Sequence, residues 1–187
     1  MAKPTVKTGR HVALLRGINV GGNNIIKMVD LRGHFEAMDL TEVETYIQSG
    51  NVVFSSKHGD KAKLVETIEA ALSAAFAYTA RVVVISAKEV ALVVTEAPPG
   101  FGKQPDRYRY DVLFVKEPLT TGEALAQIHP KPGVDEAHAG AHAVYFRRLI
   151  SKAAQSRLSR VVQLPIYKNI TIRNWNTTTK LLAMMSK

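Results

Sequence analysis

The feature that most constrains this chain is the order of strand and helix patterns in its N-terminal half. Short β-branched or apolar runs, typical of strands, lie at residues 12–15, 43–48, 52–55 and 81–85. Apolar residues at helical spacing lie between them, in one segment that begins at Met28 and another that follows Asp60. The resulting order, β-α-β-β-α-β, is that of a ferredoxin-like unit and predicts an α+β fold.

The same element order recurs in the C-terminal half, without convincing sequence identity to the first. A strand is predicted at residues 111–115, and the capping-box pattern Thr120-x-x-Glu123 predicts the start of a helix. Further elements complete the order: two strands around Gly140, a helix from Ser151 to Leu164, a strand at 170–172 and a final helix. We therefore predict a second ferredoxin-like half with a mainly antiparallel sheet.

Turn-forming residues indicate where the two halves meet. Pro98-Pro99-Gly100 ends a helix that follows the first sheet, and a polar segment with further glycine and proline comes after it. We predict a first half with its connecting helix at residues 1–98, a linker at 99–109 and a second half at 110–187. Together they are expected to form one compact protein.

The positive charge of the chain is concentrated at its C-terminal end. The net charge is +9, the last carboxylate side chain is that of Glu136, and nine of the 25 Lys and Arg residues follow it. The preceding sequence has 16 residues of each sign and is formally neutral. This asymmetry favours an anionic partner. Alternatively, the asymmetry is a solubility bias, or the cations face carboxylates of the first part across the fold.

Composition excludes several classes of protein and site. The absence of cysteine excludes disulfides, thiolate zinc sites and cysteine nucleophiles, and it is compatible with a reducing cytoplasm. Residues 1–10 are polar and basic, unlike a secretory signal, and the sequence contains no apolar run of bilayer-spanning length. We expect a cytoplasmic protein without a membrane partner.

A glycine-rich turn at residues 16–24 is the strongest candidate for a ligand contact. Its three glycines permit positive φ and a close approach of the backbone to a ligand, and the start of the following helix favours anions. The spacing matches neither a Walker A loop nor a dinucleotide fingerprint. The candidate ligand-binding residues of this turn are Arg16, Asn19, Gly21, Gly22, Asn23, Asn24 and Lys27. The alternative is a structural turn whose asparagines bond their own backbone.

A second turn, around Gly50, is predicted to lie beside the first. In a ferredoxin-like unit the exit of the first strand and the hairpin between the second and third strands share one end of the sheet. Gln48, Ser49 and Asn51 are therefore further candidates, able to recognise a base edge or a polar small molecule. The alternative is a hairpin selected only for its backbone angles.

A third set of candidate ligand-binding residues, Arg173, Asn174 and Trp175, lies near the C-terminus. Arg173 could form a bidentate contact with phosphate, and Trp175, the only tryptophan, could stack on a base or a sugar. Alternatively, Asn174 caps the final helix, Trp175 packs beneath that helix, and Arg173 pairs with a carboxylate of the first half. The structural alternative is favoured here.

Several motifs resemble an uncharacterised bacterial family known only as a domain of unknown function. They are RGINVGG from Arg16, followed by Lys27-Met28, then YIQSGNV from Tyr46 and IRN from Ile172. The resemblance covers nearly the whole chain and implies two interlocked ferredoxin-like halves. It implies no activity.

The sequence nominates no catalytic residue, and whether the protein is an enzyme is left open. His138 and His142 flank a glycine turn, which argues against a metal site, and no cofactor is predicted. The leading hypothesis is binding of an anionic ligand at the glycine-rich loop, with nucleic acid or a nucleotide as the ligand. The alternatives are an enzyme or sensor for a small phosphorylated or carboxylated metabolite, and an oligomerisation or interaction domain.

Overall fold

The computed structural model describes residues 9–186 of the 187-residue chain, and these residues divide into two compact units. The N-terminal unit comprises the described residues of Met1–Ala87 and of Ala183–Lys187. The C-terminal unit is Lys88–Leu182. Within residues 9–186, every helix falls short of the length and apolar character needed to cross a lipid bilayer.

The N-terminal unit has the ferredoxin-like order that the sequence predicts. Its elements are β1 Gly9–Leu15, α1 Met28–Glu36, β2 Thr41–Tyr46, β3 Asn51–Ser56, α2 Lys61–Phe76 and β4 Val82–Ser86. The strands form one sheet in the order β2-β3-β1-β4, and all neighbours are antiparallel. Because β3 lies between β1 and β2, the end of β1 and the β2–β3 hairpin lie at the same end of the sheet.

Helices α1 and α2 hold this arrangement by burying apolar side chains against one face of the sheet. Phe35 of α1 and Ile68 of α2 are fully buried in one core with Val52 and Phe54 of β3. Each such side chain contributes roughly 1.5–3 kcal/mol when it leaves water. The Asp60 carboxylate accepts hydrogen bonds from the first amides of α2 and caps that helix, as predicted.

The C-terminal unit repeats the order, and the prediction of two ferredoxin-like halves is confirmed. Its elements are α3 Ala87–Thr95, whose first residue belongs to the N-terminal unit, β5 Tyr108–Val115, α4 Thr121–Gln127, β6 Asp135–Ala139, β7 Ala143–Leu149, α5 Leu158–Val161, β8 Ile170–Asn174 and α6 Trp175–Met185, whose residues from Ala183 onward belong to the N-terminal unit. The sheet order is β6-β7-β5-β8, again antiparallel throughout. Thr120 and Glu123 form the predicted capping box of α4.

The predicted helix from Ser151 to Leu164 is wrong, because the chain interrupts it. A 3-10 helix covers Ile150–Gln155, and α5 is a single turn from Leu158 to Val161. Between them Ser156 is extended, with ψ of 140°, and its hydroxyl accepts a hydrogen bond from the Leu158 amide at 3.2 Å. This serine therefore begins a new turn where continuous helical periodicity was expected.

Candidate functional site

The two glycine turns of the N-terminal unit lie side by side at one end of its sheet. The Leu15 amide donates to the Gly50 carbonyl at 2.8 Å, and the Asn19 side chain donates to the Gln48 carbonyl at 2.9 Å. The strand order predicts this proximity. We call the surface formed by Arg16–Lys27 and Gln48–Asn51 the glycine rim.

The side chain of Asn19 fixes the shape of the longer turn. Its Oδ1 accepts from the Ile26 amide at 2.8 Å, and its Nδ2 donates to the Ile26 carbonyl at 2.9 Å. The Asn24 Nδ2 donates to the Gly17 carbonyl at 2.8 Å. Both asparagines adopt positive φ, 53° and 47°, which this residue type tolerates better than most. Asn19 and Asn24 therefore use their amide groups within the turn.

Asn51 plays the corresponding role in the hairpin. It is fully buried, and its Nδ2 donates to the Tyr46 carbonyl at 2.9 Å and to the Ser49 hydroxyl at 3.0 Å. Gly50 has a φ of 74°, and an added Cβ would come within 2.7 Å of the Ile18 side chain. The hairpin is thus packed tightly against the end of β1, and of its candidate residues Gln48 alone is exposed.

Several groups of the rim are available to a ligand. All residues from Val20 to Ile25 are exposed, and the amides of Gly21 and Gly22 donate no hydrogen bond within residues 9–186. The Lys27 ammonium likewise has no partner in this part of the chain and immediately precedes α1. Unpaired amides in an exposed glycine turn, and an unpaired ammonium before a helix, can each hold a phosphate or carboxylate oxygen.

The charge pattern of the rim supports this chemistry. Residues 9–29 and 45–59 contain no Asp or Glu, so the closest carboxylates in sequence are those of Glu44 and Asp30. Arg16 lies half-buried at the base of the rim, where its backbone amide donates to the Arg81 carbonyl at 3.0 Å. The two rim segments therefore carry cationic side chains and no anionic ones.

Exposed aliphatic side chains in the rim and directly beside it in sequence were not predicted. The exposed fractions are 63% for Val20, 77% for Ile25, 71% for Val29 and 48% for Ile47. These are four of the five large hydrophobic residues found exposed among residues 9–186. Their sequence signal is weak, because Val20 and Ile25 sit in a polar glycine turn outside any helical or strand periodicity. Such a concentration of exposed apolar side chains is typical of an interaction surface.

The C-terminal cluster is used within its own unit. The Asn174 side chain accepts from the Thr177 amide at 2.7 Å and caps α6, while the Trp175 ring contacts Phe101 edge-on at 5.1 Å. Arg173 is buried and donates to the Ile172 carbonyl at 2.8 Å, and burial lowers its pKa to about 10. These contacts match the structural alternative for Asn174 and Trp175.

The basic C-terminal sequence is partly neutralised within the fold. Arg147 pairs with Glu136 at 2.6 Å, and Arg148 lies 3.5 Å from Asp111. Burial raises the pKa of the Asp111 carboxyl, although Arg148 acts in the opposite direction. Among the C-terminal residues that the structure describes, exposed cations remain at four positions: Lys152, Arg160, Lys168 and Lys180.

The histidines at the β6–β7 turn are not joined into a metal site. His142 lies 3.8 Å from Glu89, and His138 is exposed. In residues 9–186, no group of three or more His, Asp or Glu side chains is arranged to hold a metal ion.

Comparison with known proteins gives a family and a similar structure. A family model with the description "Protein of unknown function (DUF1697)" matches residues 9–145. The structure of the conserved bacterial protein SP0830 from Streptococcus pneumoniae has a TM-score of 0.84 and 27% identity, over 96% of this chain and 99% of that chain. An unknown protein from Galdieria sulphuraria has 16% identity over 90% of this chain and 98% of its own, but its TM-score of 0.28 supports no argument. No curated protein matches the chain.

Proposed function

This chain belongs to the DUF1697 family of proteins of unknown function, and we propose that its glycine rim binds an anionic partner, with nucleic acid as the first candidate. One observation carries the proposal. The Asn19–Gln48 hydrogen bond joins two turns into one exposed rim, where the amides of Gly21 and Gly22 and the Lys27 ammonium have no partner within residues 9–186.

An extended polyanion suits this rim better than a small metabolite. Small-molecule sites are usually concave and enclose most of the ligand, whereas every residue from Val20 to Ile25 is exposed. A phosphate backbone needs only accessible donors and cations along an open surface. The alternative of an enzyme or sensor for a small metabolite is therefore less well supported. A cytoplasmic location stays a prediction.

Binding at this rim would depend on contacts to phosphates and not on the base sequence of the nucleic acid. Bases are usually recognised in single strands by stacking on aromatic rings, and residues 16–27 and 48–51 contain no aromatic residue. Amides and a lysine contact phosphate oxygens irrespective of the base. The exposed cations near the C-terminus would add long-range attraction.

Fluorescence anisotropy with labelled single- and double-stranded oligonucleotides tests the proposal. Lys27→Gln should weaken binding by about threefold to tenfold at roughly 50 mM salt and should flatten the dependence of affinity on salt. Lys63→Gln is a matched control, because Lys63 is an exposed lysine on α2 of the same unit. Equal effects of the two substitutions would reject the rim as the binding site, and no binding at low salt would reject nucleic acid as the partner.

The exposed aliphatic side chains favour a second candidate, a protein-interaction or oligomerisation surface. Val20, Ile25 and Ile47 would lose contact with water if a protein partner covered the rim. Ile25→Ser should then weaken self-association or partner binding by about tenfold, as measured by sedimentation velocity. Val162→Ser, which changes an exposed valine outside the rim, is the control. If the protein is monomeric at all concentrations and Ile25→Ser binds nucleic acid normally, the second candidate is rejected and nucleic-acid binding remains.

A further inference from the structure

The C-terminal unit contains a cavity that shares no lining residue with the glycine rim. Its volume is about 140 Å³, and it lies between the end of α4 and the segment that carries α5. Its lining consists of Gln127, Ile128, His129, Arg157, Arg160, Val161 and Leu164. All of these residues belong to the C-terminal unit, so a ligand in this cavity would not depend on the function proposed for the rim.

The aliphatic part of the lining comes from three side chains of the unit's apolar core. Ile128 and Val161 are each only 2% exposed, and Leu164 is half-buried beside them. Enclosed apolar cavities of about 150 Å³ bind benzene in other proteins, and this cavity has a similar volume but is partly open to solvent. The space is therefore sufficient for one six-membered ring or one branched aliphatic group.

Cationic and polar side chains complete the lining. The Arg160 side chain is exposed and has no hydrogen-bond or ion-pair partner in the described chain. The Arg157 guanidinium donates to the His129 carbonyl at 3.4 Å, which directs it toward the segment after α4. None of the described residues that line the cavity is Asp or Glu. An anionic group near Arg160 would thus have a charge-assisted donor available.

The segments on either side of the cavity are tied together. The Asp135 carboxylate accepts hydrogen bonds from the Lys131 amide at 3.0 Å and from the Arg157 amide at 2.8 Å. The Lys131 ammonium donates to the Gln155 side chain at 2.7 Å. These contacts connect the segment after α4 to the segment before α5, so both are positioned without a ligand.

We propose that this cavity binds a small organic anion that combines one apolar ring or branched chain with a carboxylate. The apolar group would lie against Ile128 and Val161, and the carboxylate would pair with the Arg160 guanidinium. Neither half of such a ligand suffices alone. An inorganic anion leaves the apolar lining unused, and a neutral ring leaves Arg160 unpaired.

The experiment is an NMR titration of the full-length protein with benzoate, with the Ile128 and Val161 methyl groups as reporters. Benzoate should bind with a dissociation constant on the order of 1 mM, as expected for a ligand of this size. Benzyl alcohol and inorganic phosphate should each bind at least about fivefold more weakly, because each supplies one half of the recognition. Equal binding of either probe, or no shift of these methyl groups with benzoate, would overturn the proposal.

Two variants assign the charge contact. Arg160→Gln should weaken benzoate binding by about fivefold to tenfold and leave the weak binding of benzyl alcohol unchanged. Lys152→Gln removes an exposed cation of the same unit that does not line the cavity, and it should change neither affinity by more than about twofold. Equal loss of benzoate binding in both variants would indicate a nonspecific charge effect and would overturn the proposal.

Discussion

At the scale of single residues, the rim depends on asparagine side chains that supplement the backbone hydrogen bonds of its turns. The Asn19 side chain makes three hydrogen bonds, two to Ile26 and one to Gln48. They add to the backbone hydrogen bonds of the turn, from the Asn19 amide to the Asn24 carbonyl and from the Asn23 amide to the Val20 carbonyl. An unpaired polar group left half-buried is more costly than the hydrogen bond itself is favourable. The stability of the turn is therefore sensitive to the loss of the half-buried Asn19 side chain.

Replacement of this amide should destabilise the protein. Asn19→Ala removes all three hydrogen bonds, and we expect the free energy of unfolding to fall by about 2–3 kcal/mol. Chemical denaturation measures this change. Asn23→Ala, in the same turn but exposed, should change the free energy by less than roughly 0.5 kcal/mol. Similar values for the two variants would contradict the role given to Asn19.

The buried carboxyl of Asp111 gives stability a pH dependence. Its pKa is raised in the folded chain, so the folded state holds the proton more strongly than the unfolded state does. This group therefore lowers stability as pH rises from the unfolded pKa, about 3.9, through the folded pKa. Asp111→Asn removes this loss, and its stability relative to the wild type should rise over that window. Denaturation at several pH values measures the difference, and a constant or falling difference would contradict the assignment.

At the scale of elements, the β2–β3 hairpin packs closely against the end of β1, and this packing holds the two turns of the rim together. Gly50 combines a φ of 74° with close contact to Leu15 and Ile18. A side chain at this position would strain the backbone and push the hairpin away from β1. Glycine is thus required here by both conformation and space.

Two glycine substitutions should have opposite effects. Gly50→Ala should destabilise the protein by about 2–4 kcal/mol, because an added Cβ lies within 2.8 Å of Leu15. Gly33→Ala lies inside α1, where an added Cβ meets no atom within 4 Å, and should stabilise the protein by about 0.5–1 kcal/mol. Thermal unfolding measures both, and a shift of the same sign in the two variants would refute this account.

Element order could be predicted from the sequence, but local interruptions could not. The ferredoxin-like order could be predicted from the spacing of apolar residues and from helix caps such as Asp60, because each of these signals lies within a short sequence segment. The break at Ser156 depends partly on Asp135, which is distant in sequence. Its carboxylate accepts a hydrogen bond from the Arg157 amide. Strand order predicts that the two rim turns are neighbours. The exposure of Val20 and Ile25 could not be predicted, because composition does not say which apolar side chains stay outside a core.

At the scale of the whole molecule, net charge and available charge differ. Nine cations follow Glu136, but Arg147 is paired, Arg148 lies beside Asp111, and Arg173 is buried. The exposed remainder can act at a distance on a polyanion without touching it. Such attraction changes association rates and is screened by salt.

Neutralising exposed cations should therefore slow association only at low salt. If the rim binds nucleic acid, the triple variant Lys152→Gln, Lys168→Gln and Lys180→Gln should associate several-fold more slowly at about 20 mM salt. The difference should fall below about twofold at roughly 500 mM, with dissociation nearly unchanged. Stopped-flow anisotropy measures both rates. A large increase in dissociation would mean that these lysines contact the ligand directly.

The Asn19 hydrogen bonds have a kinetic consequence for any partner of the rim. Because the Asn19 side chain holds the turn in shape, the binding surface is already formed before the partner arrives. Docking should then proceed in a single phase with a rate proportional to partner concentration, without the slower isomerisation that accompanies a loop folding around its ligand.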